Sequence, residues 1–564
     1  MKIQADQIKD WFEKMREKAE QQQRGQGPQP EPTPKPEKER KFKAPKKFFI
    51  ASVIILALLL YYFLLPPLNL HSPLFWFTFF VLGVYATLTL GIAYGVFKKM
   101  ALVLGGIFLV LVLLNVTSLE LFRAKSYASI LVREPGDFTA DIQEIPVDRI
   151  PTVDRDTAER LGSRKMGELI DLVSQFNIDN SYTQINYKGD PVRVTPLEYN
   201  GFLKWLSNQS KGIPNFILVN MVNGDAHLNK LTENIKYSKS DLFFRDIGRH
   251  MRINHPTAIF ENIVFEIDDN GTPYWIAGTY KPRISWFGAM DINGAILCNA
   301  ITGETEFYPV GEIPNWVDRV YSAQDIITQL NWNGKYQSGF FNSIFSQKGV
   351  LQTTEGYNYL ALNDDVYLYT GFTSMGTDES NVGFVLVNLR TKETKFYPVS
   401  SAEEFSAMES AEGEVQEKNY KATFPLLLNI NGSPTYFMSL KDNAGLIKMY
   451  AFVDAQNYQN VSIGQSVESA YRIHLGEKHF QDLENQQVNA DEIQLAEGTI
   501  EAIFPVVLEG TTNYYLKLAE GDQIYIASLI LSDYMPFYVP GDYISFEYYQ
   551  TTEESNQIIT IKGE

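Results

Sequence analysis

Residues 48–65 read FFIASVIILALLLYYFLL and carry no charge. At about 1.5 Å of rise per residue, a helix of that length approaches the ~30 Å hydrocarbon core of a bilayer. The run stops at Pro66-Pro67. After the charge-free turn LNLHSP, a second apolar run extends from about Leu74 to Phe97 and is closed by Lys98-Lys99. A third runs from about Ala101 to Phe122, with Glu120 near its far end as its single charge. Buried core helices are a poor alternative, because the turns between the runs are too short to hold a soluble fold. A cleavable signal peptide fits no better: the first run starts late, no small-residue cleavage site follows, and two more runs come after it. The sequence therefore predicts a three-helix transmembrane segment over 48–122.

Basic residues set the orientation. Arg40, Lys41, Lys43, Lys46 and Lys47 precede the first run, Lys98 and Lys99 separate the second from the third, and the 66–73 turn has none. Positive charge accumulates on the cytoplasmic side, so the N-terminus is expected inside. An odd number of spans then places the chain beyond about residue 123 outside, in a multi-pass plasma-membrane protein. Arg123, Lys125 and Arg133 oppose the rule, but long domains translocate largely regardless of such charges. Gly91 and Gly95, with Ala93 between them, offer a small-residue face. Packing among the three helices is the preferred use of it, and an oligomer interface the alternative. No ionisable residue lies mid-span, which disfavours transport by these helices alone.

Within residues 1–20, Ile8, Trp11, Phe12, Met15 and Ala19 form one apolar stripe on a charged helix. Such a short helix either lies on a surface, the inner membrane face or a protein partner, or stays a marginal helix with no target. Residues 21–47, rich in Pro and charge, read as an extended linker.

The net charge of −18 falls mainly beyond the spans, so nucleic acid is not an expected partner. Cys298 is the only cysteine, which excludes a disulfide framework and Cys-rich zinc sites. A folded outer region without disulfides suits a Gram-positive-like envelope.

Residues 123–260 read as α+β, with helical stretches at 155–176 and 195–208 around a strand at 182–187. Repetition begins after them: GAILCNAITGETEFYPV (294–310) aligns without gaps on GFVLVNLRTKETKFYPV (383–399). Each predicts a β-hairpin turning at Thr-x-Glu-Thr and ended by proline. A weaker third copy spans 431–455, where an Asn-Gly turn and Pro-x-Tyr parallel DDNGTPYWIAG at 268–278. Sheet modules are accordingly expected at 261–345, 346–415 and 416–490, with a helix over 313–330 after the first hairpin. The hairpin-plus-helix pattern resembles the PepSY-like modules of bacterial envelope proteins. The layout is similar to a family of Firmicutes multi-span membrane proteins with a large extracytoplasmic region. The resemblance implies envelope location and protein or ligand interaction, and it carries over no catalytic residue. Residues 491–564 give five short strands between Gly/Asp turns and predict a small OB-like barrel. Its acidity argues against nucleic acid, and its tyrosines read as core and rim before they read as a platform for a glycan or peptide.

The search for chemistry yields no catalytic, cofactor-binding or metal-ligating set. His250 and His255, like His474 and His479, are five apart, where a shared helix face needs three or four. DDNG at 268–271 lacks the twelfth-position acid of a calcium loop and reads as a hairpin turn. GFTSMG at 371–376 is one residue too long for a nucleophile elbow. Asp378 and Glu379 are adjacent loop acids, and Trp316, Asp318 and Arg319 read as a packed helix start with a local ion pair. The functional expectation is a non-enzymatic envelope protein whose outer region binds a protein, peptide or cell-wall ligand or scaffolds an assembly. The alternatives are an enzyme acting on cell-wall polymer and an accessory subunit of a transporter or secretion complex.

Overall fold

The structure, a computed structural model, describes residues 10–11, 13–18, 46–362, 364–375, 380–476, 494–508, 511–521, 523–528, 535–550 and 555–562. Three helices are long and apolar enough to cross a membrane: α1 (Lys46–Leu64), α2 (Pro73–Ala86, extended by a π-turn over Thr87–Gly91) and α3 (Phe97–Val116). The third helix starts and stops earlier than its hydropathy predicts. Gly95, at φ +71°, ends the second helix, Lys98 and Lys99 open the third, and Gly91 packs against the Phe97 backbone. Glu120 lies outside the spans as the first residue of a separate helix, α4 (Glu120–Ala128). In the N-terminal tail, Trp11 and Met15 lie exposed on a described helical stretch, whereas Ile8, Phe12 and Ala19 fall outside the described residues, as does most of 21–47.

Beyond α4 the chain builds one unit four times: a helix, then a four-stranded antiparallel meander. The helices are Arg155–Gly167, Ile247–Asn254, Ala323–Tyr336 and Glu404–Glu414. Their meanders begin at Thr183, Ile259, Asn358 and Leu426 and end at Ile235, Pro309, Tyr397 and Gly464. A single turn punctuates each meander between its third and fourth strands. The side chain of Asn220, Asn299, Asn388 or Asp454 accepts the N–H groups two and three residues after it, the geometry that makes Asn and Asp turn formers. The next residue (Met221, Ala300, Leu389 or Ala455) donates its N–H to Pro191, Pro273, Val366 or Pro434 at the start of the second strand. Its carbonyl receives the chain entering the module's helix, from Thr152 and Val153, Lys236 and Tyr237, Val320 and Tyr321, or Ala402. The two hairpins that match in sequence also match in register, with Cys298 opposite Thr305 and Val387 opposite Thr394.

The sequence shows three copies because three share spelling; the first module keeps the geometry with NGDA (223–226) in place of Thr-x-Glu-Thr. Its first helix stops at Gly167 and a short strand starts at Phe176, so the predicted 155–176 helix is broken. The predicted 195–208 helix is helical only in its second half, over Phe202–Asn208, because the preceding strand runs on to Tyr199. The 313–330 helix starts only at Ala323, because Val320 and Tyr321 must stay extended to dock on Leu389.

Apolar cores fill the spaces between successive sheets: Phe216 and Met251 pack with Trp275, Ile326 and Leu330 lie between Ile276 and Val385, and Ala407 sits between Tyr369 and Tyr436. The fourth module returns to the first. Lys441 Nζ lies 2.6 Å from Asp154, Ser439 Oγ donates to Thr152 O at 3.1 Å, and Arg160 donates to Ala444 O. The last five strands, Gln494–Leu508, Thr511–Leu518, Ile524–Ser528, Tyr543–Gln550 and Ser555–Lys562, pair in a ladder that closes on itself around Leu516, Phe546 and Ile558.

Candidate functional site

The first strands of the modules converge, and beside them opens a cavity of about 420 Å³ lined by residues of all four modules. Arg193 forms its floor. It is 7% exposed, donating to Tyr182 O and Gln184 Oε1 at 3.3 Å each while its Nε has no partner. Arg319 lies on the wall, its guanidinium 4.0 Å from the centre of the Tyr359 ring. Its Nη2 donates to the hydroxyl of that tyrosine at 2.8 Å, and its Nε is also unpartnered. Among the described residues neither guanidinium is in ion-pair contact with a carboxylate. Burial first, and then the charge of Arg319, brings the Arg193 guanidinium down to about 10, so it stays cationic at neutral pH. Arg155, Asp156 and Tyr357 stand exposed at the mouth.

The repeat makes Arg193 conspicuous. At its register, opposite the residue before the turn Asn or Asp, the other modules place Trp275, Leu368 and Tyr436, all fully buried. One strand away, Glu266 breaks the pattern in the same manner, since Ile185, Leu360 and Leu428 hold the corresponding positions. Glu266 is completely buried and accepts the backbone N–H groups of Asp318 and Arg319, both at 2.9 Å. Asp318 accepts the N–H of Asn186 at 2.6 Å. Burial raises the pKa of both acids, and for Asp318 the nearby Glu266 adds to it. These carboxyls bind backbone amides and do not line the cavity, so they clamp the first three modules together. At the rim, burial works to raise Asp154, but Lys441 and Thr157 hold it below the ordinary carboxylate range.

Trp316, Asp318 and Arg319 are therefore not a helix start with a local ion pair. Asp318 turns to Asn186, Arg319 turns to Tyr359, and the Trp316 ring packs 4.9 Å from that of Tyr274. His250 and His255 reach Gly303 O and Thr305 Oγ1 of one hairpin. His474 lies 3.5 Å from Thr435 Oγ1, and His479 falls outside the described residues. Among the described residues no three His, Cys, Asp or Glu side chains gather as a metal site. DDNG forms a turn in which Asp268 accepts the N–H groups of Asn270 and Thr272. GFTSMG begins inside a strand that runs to Ser374, whereas Asp378 and Glu379 lie outside the described residues. Burial pushes the Cys298 thiol up to about 12, leaving it an unreactive core side chain. Reasoning from sequence missed Arg193 and Glu266. The available signal was a charge inside a β-branched strand run, PVRVTP and IVFEI.

No family model and no curated protein matches the chain. Among solved structures it aligns with Trypanosoma rangeli sialidase at 12% identity, covering 68% of this chain and 54% of the sialidase, with a TM-score of 0.17. A B. megaterium levansucrase mutant aligns at 8% identity, over 74% of this chain and 97% of the levansucrase, also with a TM-score of 0.17. The chain thus spans about 54% of the sialidase's length, and at these TM-scores neither likeness bears on fold or function.

Proposed function

We propose that the protein is a non-enzymatic envelope receptor, anchored by three spans, whose outer modules bind a ligand through an anionic group held in the cavity between them. One observation carries this reading: two arginines, one of them buried, face a cavity and, among the described residues, neither makes ion-pair contact with a carboxylate, Asp154 and Asp156 standing at its rim. Burying an unpaired charge is costly, and a guanidinium's fork of donors matches carboxylate or phosphate oxygens. Tyr357, exposed at the mouth, offers a flat apolar face for the rest of a sugar or peptide.

The orientation drawn from the lysines has geometric support. Leu68 N donates to Pro256 O and Trp286 Nε1 donates to Leu70 O, so the α1–α2 turn lies on the same side as the outer modules. The N-terminus and the turn before Lys98 then lie on the opposite, cytoplasmic side. A PepSY-like ancestry of the modules within a Firmicutes membrane-protein family belongs to the same proposal. So does an OB-like identity for the last unit, supported by a ladder running 1-2-3-5-4 and back to 1 with the 3–5 pair parallel.

The test is thermal unfolding of the detergent-purified protein with phosphate- and carboxylate-bearing sugars, each against its neutral parent at equal ionic strength. A ligand at a hundred times its Kd adds about 2.7 kcal/mol of stability. That upward shift is expected for the anionic members and should vanish in Arg193→Met. An equal response to charged and neutral sugars would overturn the reading.

A further inference from the structure

Among the described residues of the outer region, two clusters of uncovered large apolar side chains lie where the spans emerge. The first comprises the helix Phe202–Asn208 and the turn Phe243–Arg245, with Leu203 72% and Phe244 66% exposed. Arg249 ties this patch to the membrane: it donates to Phe243 O at 2.5 Å and lies 4.3 Å from the ring centre of Tyr62, two residues before the end of α1. The second patch is Phe341, Ile344 and Phe345, with Phe345 79% exposed. Its height follows from the helix that leads to it. Asn333 donates to Ala128 O at the far end of α4, and three residues later Tyr336 donates to Glu120 at its near end, next to α3. The chain is therefore descending towards the bilayer when it reaches Phe340, whose ring lies 6.1 Å from that of Tyr336. Trp76 and Trp286, both donating to Leu70 O in the turn between the first two spans, mark the level of the polar interface, the depth where tryptophan collects.

We propose that these two patches insert into the outer interfacial layer of the same bilayer that holds the spans, so that the outer region lies against the membrane on its second-module side. The occupant is lipid, because the patches continue a surface that α1 and α3 already bury in lipid. Residues such as Phe and Leu are those that interfacial segments sink into the headgroup and acyl boundary. The proposal rests on the spans being membrane-embedded, and the experiment separates the two.

Cys298 is buried, so single cysteines introduced at Phe244 and Phe345 in the full chain accept a nitroxide label selectively. Two controls accompany them: Leu109 in α3, and Tyr458, exposed in the fourth module. In nanodiscs, the ratio of collisions with oxygen to collisions with a water-soluble nickel chelate should be several-fold higher at Phe244 and Phe345 than at Tyr458, approaching Leu109. Ratios equal to that of Tyr458, with Leu109 still reading lipid, would overturn the proposal and leave the spans in place. Shielding from both quenchers would reveal a protein occupant and overturn it too. A water-like reading at Leu109 would remove both claims.

Discussion

The first and second modules share one backbone plan and put it to different uses. Trp275 and Arg193 occupy the same register, opposite Cys298 and Val219. The tryptophan closes a core between sheets, where its Nε1 donates to Tyr237 O at 2.8 Å. The arginine forms the floor of a cavity. The turn that defines the repeat is held alike in all four modules, whereas at their meeting point Arg193 and Glu266 stand where the other modules place buried apolar or aromatic residues. Repetition maintains the fold, and departure from it marks where chemistry is placed.

The largest way to break this comparison is Trp275→Ala. Emptying a fully buried aromatic site should cost about 3–5 kcal/mol, seen as a large fall in the denaturation midpoint of the outer region. Asp318→Asn probes the buried acid pair. A carboxyl whose pKa is raised by folding remains protonated in the native state while the unfolded chain ionises. Its stability is therefore complete below the ordinary carboxylate range and is lost as pH rises through the raised folded value. The substitution imitates the protonated acid and keeps an acceptor for Asn186, so stability at pH 8 should rise by roughly 1–2 kcal/mol while stability at pH 4 changes little. A parallel pH profile in wild type and variant would show that the pair is not the origin of the slope.

Asn388→Ala removes the acceptor of the Arg390 and Thr391 N–H groups and the donor to Asp365 and should cost about 1–2 kcal/mol, whereas Asn299→Ala, which removes the acceptor of the Ile301 and Thr302 N–H groups, should cost about 1 kcal/mol. The smallest effect is expected from Arg193→Met. Replacing an unpaired buried charge by an apolar chain of similar length should leave unliganded stability within about 1 kcal/mol of wild type. A loss as large as that from Trp275→Ala would mean that Arg193 is a packing residue after all.

Legibility followed the range of the forces involved. The hairpin at 294–310 could be read because its turn, its alternation and its terminal proline are local. The first module went unread as a copy because Asn220 makes the same turn with different neighbours, and geometry, not spelling, is what repeats. The helix expected at 313–330 starts ten residues later, at Ala323, because Val320 and Tyr321 are kept extended by a carbonyl at Leu389, distant in the chain.

By itself the sequence determined that three stretches are apolar and long enough to cross a bilayer and that related hairpins recur, since hydropathy and turn preference act over a few residues. Tertiary structure alone decided that there are four modules, that the last meets the first through Lys441 and Asp154, and that Arg193 and Arg319 share one cavity. Electrostatic meaning arises from burial and from neighbours brought in from afar, and the linear order of residues encodes neither.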